Sequence, residues 1–166
     1  EFHFENAVDI REEIGDRHGR ARSLHNVGMV AHYRGDHGQA REQYRKSRDI
    51  ERELGDHHGE AMATHNLGLL EQARGEYDQA RECYERCLSI DHEIGDRQGE
   101  ATTLLNLGAL AIDQGRYDEA REQLTEALDI FQDLDDTGGE VNTLGHLDQV
   151  ARLRGEYEAA EEHYDE

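Results

Sequence analysis

Apolar residues recur along this chain at helical spacing, and the pattern itself repeats every forty residues. In residues 56–75 the apolar positions lie three or four apart, which is the spacing that places side chains on one face of a helix. Residues 77–94 form a second such face, and a glycine closes each segment. Each copy therefore predicts two helices, and the short connections force consecutive helices to lie antiparallel.

The same skeleton appears in residues 11–50, 51–90 and 91–130. A period of 20–50 residues indicates stacked repeats rather than an ordinary globular core. No strand is predicted, so the fold class is all-α. We predict a single array over residues 1–166, built from a partial unit at 1–15, full units at 16–55, 56–95 and 96–135, and a degenerate, truncated unit at 136–166.

Small residues mark both the helix ends and the expected contacts between helices. Asp56 is a candidate N-cap, and Gly75 and Gly95 are candidate helix ends. A glycine recurs in mid-helix, where it costs about 1 kcal/mol relative to alanine. We attribute this recurrence to close approach of the second helix of the same unit. The mid-helix glycines are Gly28, Gly68 and Gly108, and the expected partner residues are Ala40, Ala80 and Ala120.

The last copy departs from the skeleton. Asp135 stands at a helix-ending glycine position, while His146 and Asp148 replace the recurrent asparagine and mid-helix glycine. Residues 157–166 predict only the start of a final helix. Ends of this kind leave apolar faces exposed, so we expect end-to-end self-association as one possibility.

The charge is strongly negative: 39 acidic against 18 basic residues give a net −21, and Lys46 is the only lysine. This excludes a basic stripe for nucleic acid. The acidity is explained either by a basic protein partner or by solubility, including adaptation to a salt-rich cytoplasm. No apolar run is long enough to span a membrane, and no signal sequence opens the chain, so we expect a cytoplasmic protein.

Reactive groups do not form a recognisable motif. Cys83 and Cys87 lack the partners of a four-thiolate site, and they are expected to be reduced thiols, with Cys87 in packing. The 11 histidines show no zinc-binding spacing. We therefore predict no metal, no cofactor and no catalytic residues.

Two short motifs carry a resemblance to a known family. The N-V/L-G motif occurs at 26–28, 66–68 and 106–108, and G-x-H/Y-x-x-A occurs at 35–40, 75–80, 115–120 and 155–160. Together they resemble the tetratricopeptide repeat, in its forty-residue variety. The resemblance implies a right-handed α-solenoid in which the first helix of each unit lines a concave, ligand-binding surface.

The asparagines of the first motif are the best candidates for that surface. An asparagine offers donors and an acceptor to a peptide backbone, although each could instead bond a neighbouring helix. Both interpretations stay open. The candidate peptide-binding residues are Asn26, Asn66, Asn106, His25, His65, Arg22, Met29, His32, Tyr33, Leu69, Gln72, Leu105 and Ala109.

The sequence thus favours a non-catalytic scaffold that binds a protein partner, through a peptide or helix segment, on its concave face. The alternative is a sensory or regulatory domain of a larger signalling or transcription-regulating protein. The two-lysine, one-arginine clamp that some members use for C-terminal carboxylates is not visible here.

Overall fold

The structure, a computed structural model, describes the backbone of residues 2–155 and the side chains of residues 6–155. No strand occurs in this part of the chain, and none of its helices is both long and apolar enough to cross a bilayer. The predicted start of a final helix at 157–166 and the fourth copy of the second motif, beyond residue 155, lie outside the described residues. The helices are α1 (Phe2–Glu13), α2 (Arg17–Tyr33), α3 (His37–Leu54), α4 (His57–Ala73), α5 (Tyr77–Ile94), α6 (Arg97–Asp113), α7 (Tyr117–Asp133) and α8 (Thr137–Arg154).

Aspartates cap five of the described helices, α2, α3, α4, α6 and α8, whereas α7 follows Arg116 without a side-chain cap. The Asp56 carboxylate accepts a hydrogen bond from the Gly59 amide at 2.9 Å, which satisfies one of the unpaired donors of the first turn of α4. The residues that cap helices in the same way are Asp16, Asp36, Asp96 and Asp136.

The connections between helices use a left-handed residue at a fixed place. Gly75 has φ +75° in the turn between α4 and α5, a conformation that glycine adopts without strain. Asp135 has φ 55° at the equivalent place between α7 and α8, so the turn keeps its conformation without a glycine. Aspartate is among the residues that tolerate this region best.

The chain divides into two compact units, residues 1–90 and 91–166. In the first, Tyr44, Leu67 and Leu70 form a buried cluster with two alanines, and Cys83 packs against it. In the second, Leu110, Leu124 and Ile130 are buried.

The mid-helix glycines do face the second helix of their unit, but the residue that they face is the large one rather than the predicted alanine. A Cβ added at Gly68 would lie 2.5 Å from a ring carbon of Tyr84, closer than real contacts allow. For Gly108, the Ala120 carbonyl oxygen is also near, at 3.4 Å, although Leu124 is nearer. The three pairs are Gly28 with Tyr44, Gly68 with Tyr84, and Gly108 with Leu124.

Several acidic residues of the described part of the chain are buried. Glu60 accepts from Arg52 and Arg86, with the nearer contact at 2.9 Å. Glu71 pairs with Arg41 and Arg74, the latter at 3.3 Å. Each of these glutamates is thus compensated by two guanidinium groups. The buried acids are Glu51, Glu60, Glu71, Asp91, Glu100 and Asp148.

Glycine-to-alanine substitutions at two helical positions, Gly68 and Gly145, should change the stability of the chain in opposite directions. Gly68→Ala should lower the free energy of unfolding by about 1–3 kcal/mol, because the new methyl group would overlap the buried Tyr84 ring. Gly145→Ala is the matched control, since Gly145 lies inside α8 with nothing within 4 Å of an added Cβ. It should raise stability by up to about 1 kcal/mol through helix propensity. Urea unfolding measures both, and an equal change in the two variants would contradict this account.

Candidate functional site

An open groove lies between α2 and α4, and we call it the α2–α4 groove. It encloses a cavity of about 470 Å³. Four of the predicted binding residues line it together: Arg22, His25, Asn26 and Met29. The other lining residues are Ser47, Glu51, Asp56, His58, Gly59 and Met62.

Both methionines of the chain line this groove. Met29 is 36% exposed and Met62 is 47% exposed, so each presents its thioether to solvent. Methionine is flexible and polarisable, which suits a surface that must adapt to a bound side chain. The groove therefore combines adaptable apolar contacts with polar groups.

Two of the three histidines predicted for the site, His25 and His65, lie against buried tyrosines. The His25 and Tyr44 ring centroids are 5.5 Å apart, and those of His65 and Tyr84 are 6.0 Å apart. Burial lowers the pKa of both imidazoles below its usual value because it penalises the charged form. Both rings are therefore held as neutral, polar groups at neutral pH.

Asn66 makes the helix-to-helix contact that the sequence left as an alternative. Its Nδ2 atom donates to the Met62 carbonyl oxygen at 3.0 Å and lies 3.5 Å from Nε2 of His25. The amide of Asn66 thus connects α4 to α2. A role for the three asparagines in binding a peptide backbone stays a prediction.

The remaining predicted residues have varied surroundings. Gln72 accepts a hydrogen bond from the Tyr84 hydroxyl at 2.9 Å, and His32 lies between the rings of Tyr33 and His37. Tyr33 is 86% exposed, whereas Leu69 is half-buried. In the second unit, Leu105 is buried, while Asn106 and Ala109 are half-buried on α6.

Six of the ten lining residues are absent from the predicted binding set, among them His58 and Met62 of α4. Met62 occupies the position of Arg22 in the next copy, forty residues on. Following that position from copy to copy would have found it. His58 lies in the first turn of α4.

A second groove lies between α3 and α5, with a cavity of about 780 Å³. We call it the α3–α5 groove. Arginines from both helices line it, and Glu71 and Cys83 lie among them. Burial raises the pKa of the Cys83 thiol to about 11, so this cysteine is held protonated and weakly reactive. Cys87 is buried, as predicted, and both cysteines are free thiols.

Comparison with known proteins gives one family. The sequence profile described as Tetratricopeptide repeat matches four overlapping stretches, residues 3–53, 27–93, 59–133 and 99–166. No curated protein matches the chain.

Solved structures share the fold at low sequence identity. BtubC (BKLC) from P. vanneervenii is 19% identical with a TM-score of 0.81, over 98% of this chain and 76% of that one. The apo form of RapI is 20% identical with a TM-score of 0.90, over 98% and 45%. A Rap protein complexed with Competence and Sporulation Factor is 18% identical with a TM-score of 0.84, over 98% and 46%. The predicted fold class, an α-solenoid of antiparallel helix pairs, is confirmed, and this chain spans less than half of either Rap chain.

The buried histidines predict how stability depends on pH. The pKa of His65 is lower in the folded chain than in the unfolded chain, so the unfolded state binds more protons as the pH falls. Stability should therefore decrease between about pH 7.5 and about pH 6, the range in which a free imidazole begins to titrate. His65→Gln should reduce this decrease, while His57→Gln, at an exposed position in α4, should leave it unchanged. Urea unfolding at both pH values tests this, and an unaltered pH dependence in His65→Gln would contradict it.

Proposed function

Because the chain belongs to the tetratricopeptide repeat family, we propose that it is a non-catalytic scaffold that binds a peptide or helix segment of a partner protein. The family supports protein interaction in general, and the α2–α4 groove is the surface that we assign to it. The observation that carries this assignment is the convergence of Arg22, Asn26 and both methionines on one open groove.

The lining residues indicate the chemistry of the ligand. Arg22 is exposed at the groove, where its guanidinium interacts electrostatically with Glu51 and can also pair with a carboxylate of the partner. Met29 and Met62 suit an apolar side chain beside it. Asn26 can pair with the peptide backbone. The expected ligand is an extended segment with an acidic and an apolar residue close together.

The other expectations from the sequence stay predictions. These are the absence of catalysis, a cytoplasmic location, self-association through the ends, and the alternative role as a regulatory domain of a larger protein. The Rap structures support the fold, and they are one free chain and one complex with Competence and Sporulation Factor.

Substitutions of Arg22 and Asn26, with a substitution of Arg45 as the control, test the assignment of the groove. Peptides selected from a displayed random library against the whole chain would serve as probes, with fluorescence anisotropy measuring Kd. Arg22→Ala and Asn26→Ala should each weaken binding roughly tenfold, which is about 1.4 kcal/mol, because each removes a polar contact to the ligand.

Arg45→Ala is the control, because Arg45 is also exposed and lines the α3–α5 groove instead. It should change Kd by less than about twofold. Selected peptides that bind Arg22→Ala and Asn26→Ala as tightly as the original chain would refute the assignment. So would a loss of binding confined to Arg45→Ala.

A further inference from the structure

Three side chains from different elements converge at the edge of the α2–α4 groove, and we call them the His18 cluster. His18 belongs to the first turn of α2, Glu51 to the end of α3, and Asp56 to the cap of α4. Nδ1 of His18 lies 3.1 Å from a carboxylate oxygen of Glu51 and 3.7 Å from one of Asp56. One ligand atom from each residue lies within 4.8 Å of the other two.

In the described part of the chain, Glu51 lacks the pair of arginine partners that the buried glutamates Glu60 and Glu71 of the same unit have. Glu60 and Glu71 are buried and each pairs with two arginines. The Glu51 side chain is only 5% exposed, yet among the described residues its ion-pair partner is the imidazole of His18, and it faces the Asp56 carboxylate. Two carboxylates and one imidazole therefore share a small, partly covered space. Arg22 is the one arginine among the residues that line the groove, and it acts on Glu51 as a nearby charge without an ion-pair contact.

In the second unit, two of the three positions equivalent to the His18 cluster, eighty residues further along the chain, carry different side chains. Gln98 occupies the position of His18, and its Nε2 donates to the Asp136 carboxylate at 2.8 Å. Phe131 occupies the position of Glu51. A neutral amide and one carboxylate thus suffice to join these elements, so the structural contact requires neither an imidazole nor a second carboxylate.

We propose that His18, Glu51 and Asp56 bind a divalent metal cation of the zinc type. Zinc accepts imidazole nitrogen and carboxylate oxygen at about 2.0–2.2 Å, and three protein ligands with water in the fourth position make an open site. Ligands arranged tetrahedrally at that distance are separated by roughly 3.3–3.5 Å. The separations from His18 Nδ1 are already close to this value. His18 is 58% exposed, which gives an ion access from solvent.

This site goes beyond the proposed peptide binding and does not depend on it. It also departs from the absence of metal predicted from the sequence, because no short motif contains the three ligands. The three ligands are separated by 33 and five residues along the chain. Only the fold brings them together.

Zinc titration by calorimetry, at about pH 7.5 on the whole chain, tests the proposal against the many other histidines. His18→Gln and Glu51→Gln should each lose one equivalent of the tightest Zn²⁺ binding, or weaken it at least roughly tenfold. His92→Gln is the matched control, because Nδ1 of exposed His92 lies 3.8 Å from one carboxylate, that of Glu100. His92→Gln should keep the same number of tightly bound Zn²⁺ equivalents, with the same affinity, as the original chain. In NMR spectra selective for histidine, the His18 signals should shift first as Zn²⁺ is added.

Circular dichroism would show whether each variant is folded. His18→Gln changes an exposed side chain. This variant therefore still tests the proposal if Glu51→Gln unfolds. Equal binding by the original chain and His18→Gln would overturn the proposal. An original chain without saturable Zn²⁺ binding would also overturn it, and the cluster would then be a simple ion pair. Neither result would affect peptide binding.

Discussion

The absence of a side chain at one helical position determines how each of the three full repeats is packed. Gly68 leaves space for the ring of Tyr84, and any larger residue would push α5 away from α4. The consequence extends from the core to the surface. The same tyrosine ring supports His65, and its hydroxyl group bonds Gln72. In the preceding copy Tyr44 packs against Gly28 and His25 in the same way. The contact that closes the core thus also sets the position of polar groups on the first helix of the pair.

Charge contributes to this framework as well as to solubility. Arginines that compensate Glu60 and Glu71 join neighbouring helices, so part of the acidity is structural. The remaining excess is unevenly distributed: residues 1–90 contain 18 acidic and 13 basic residues, whereas residues 91–166 contain 21 and five. A ligand of the α2–α4 groove therefore binds the less acidic unit. This makes an acidic residue in that ligand compatible with the net charge of the chain.

Features that repeat along the chain were predictable from the sequence. Sites that bring together residues distant in the sequence were not. Asp56 caps α4 and Tyr77–Ile94 is helical, as spacing and punctuation predict, because both depend on local chemistry. The second helix does approach Gly68, but counting small residues did not identify Tyr84 as its nearest contact, since it ignores the direction in which a large side chain points. The His18 cluster joins three elements, and no local pattern indicates it. The site prediction found the α2 side of the groove but missed Met62, whose residue type changes between copies.

The central claim is that the recurrent glycines and the large residues that face them are used in packing, and that the α2–α4 groove binds a partner. The chain has two methionines and both line that groove, so a chain labelled at the methionine methyl groups gives one NMR signal from each. Addition of a selected peptide that binds the chain should shift the signals of both Met29 and Met62. A peptide that binds with measurable affinity while both methyl signals stay unchanged would contradict the account.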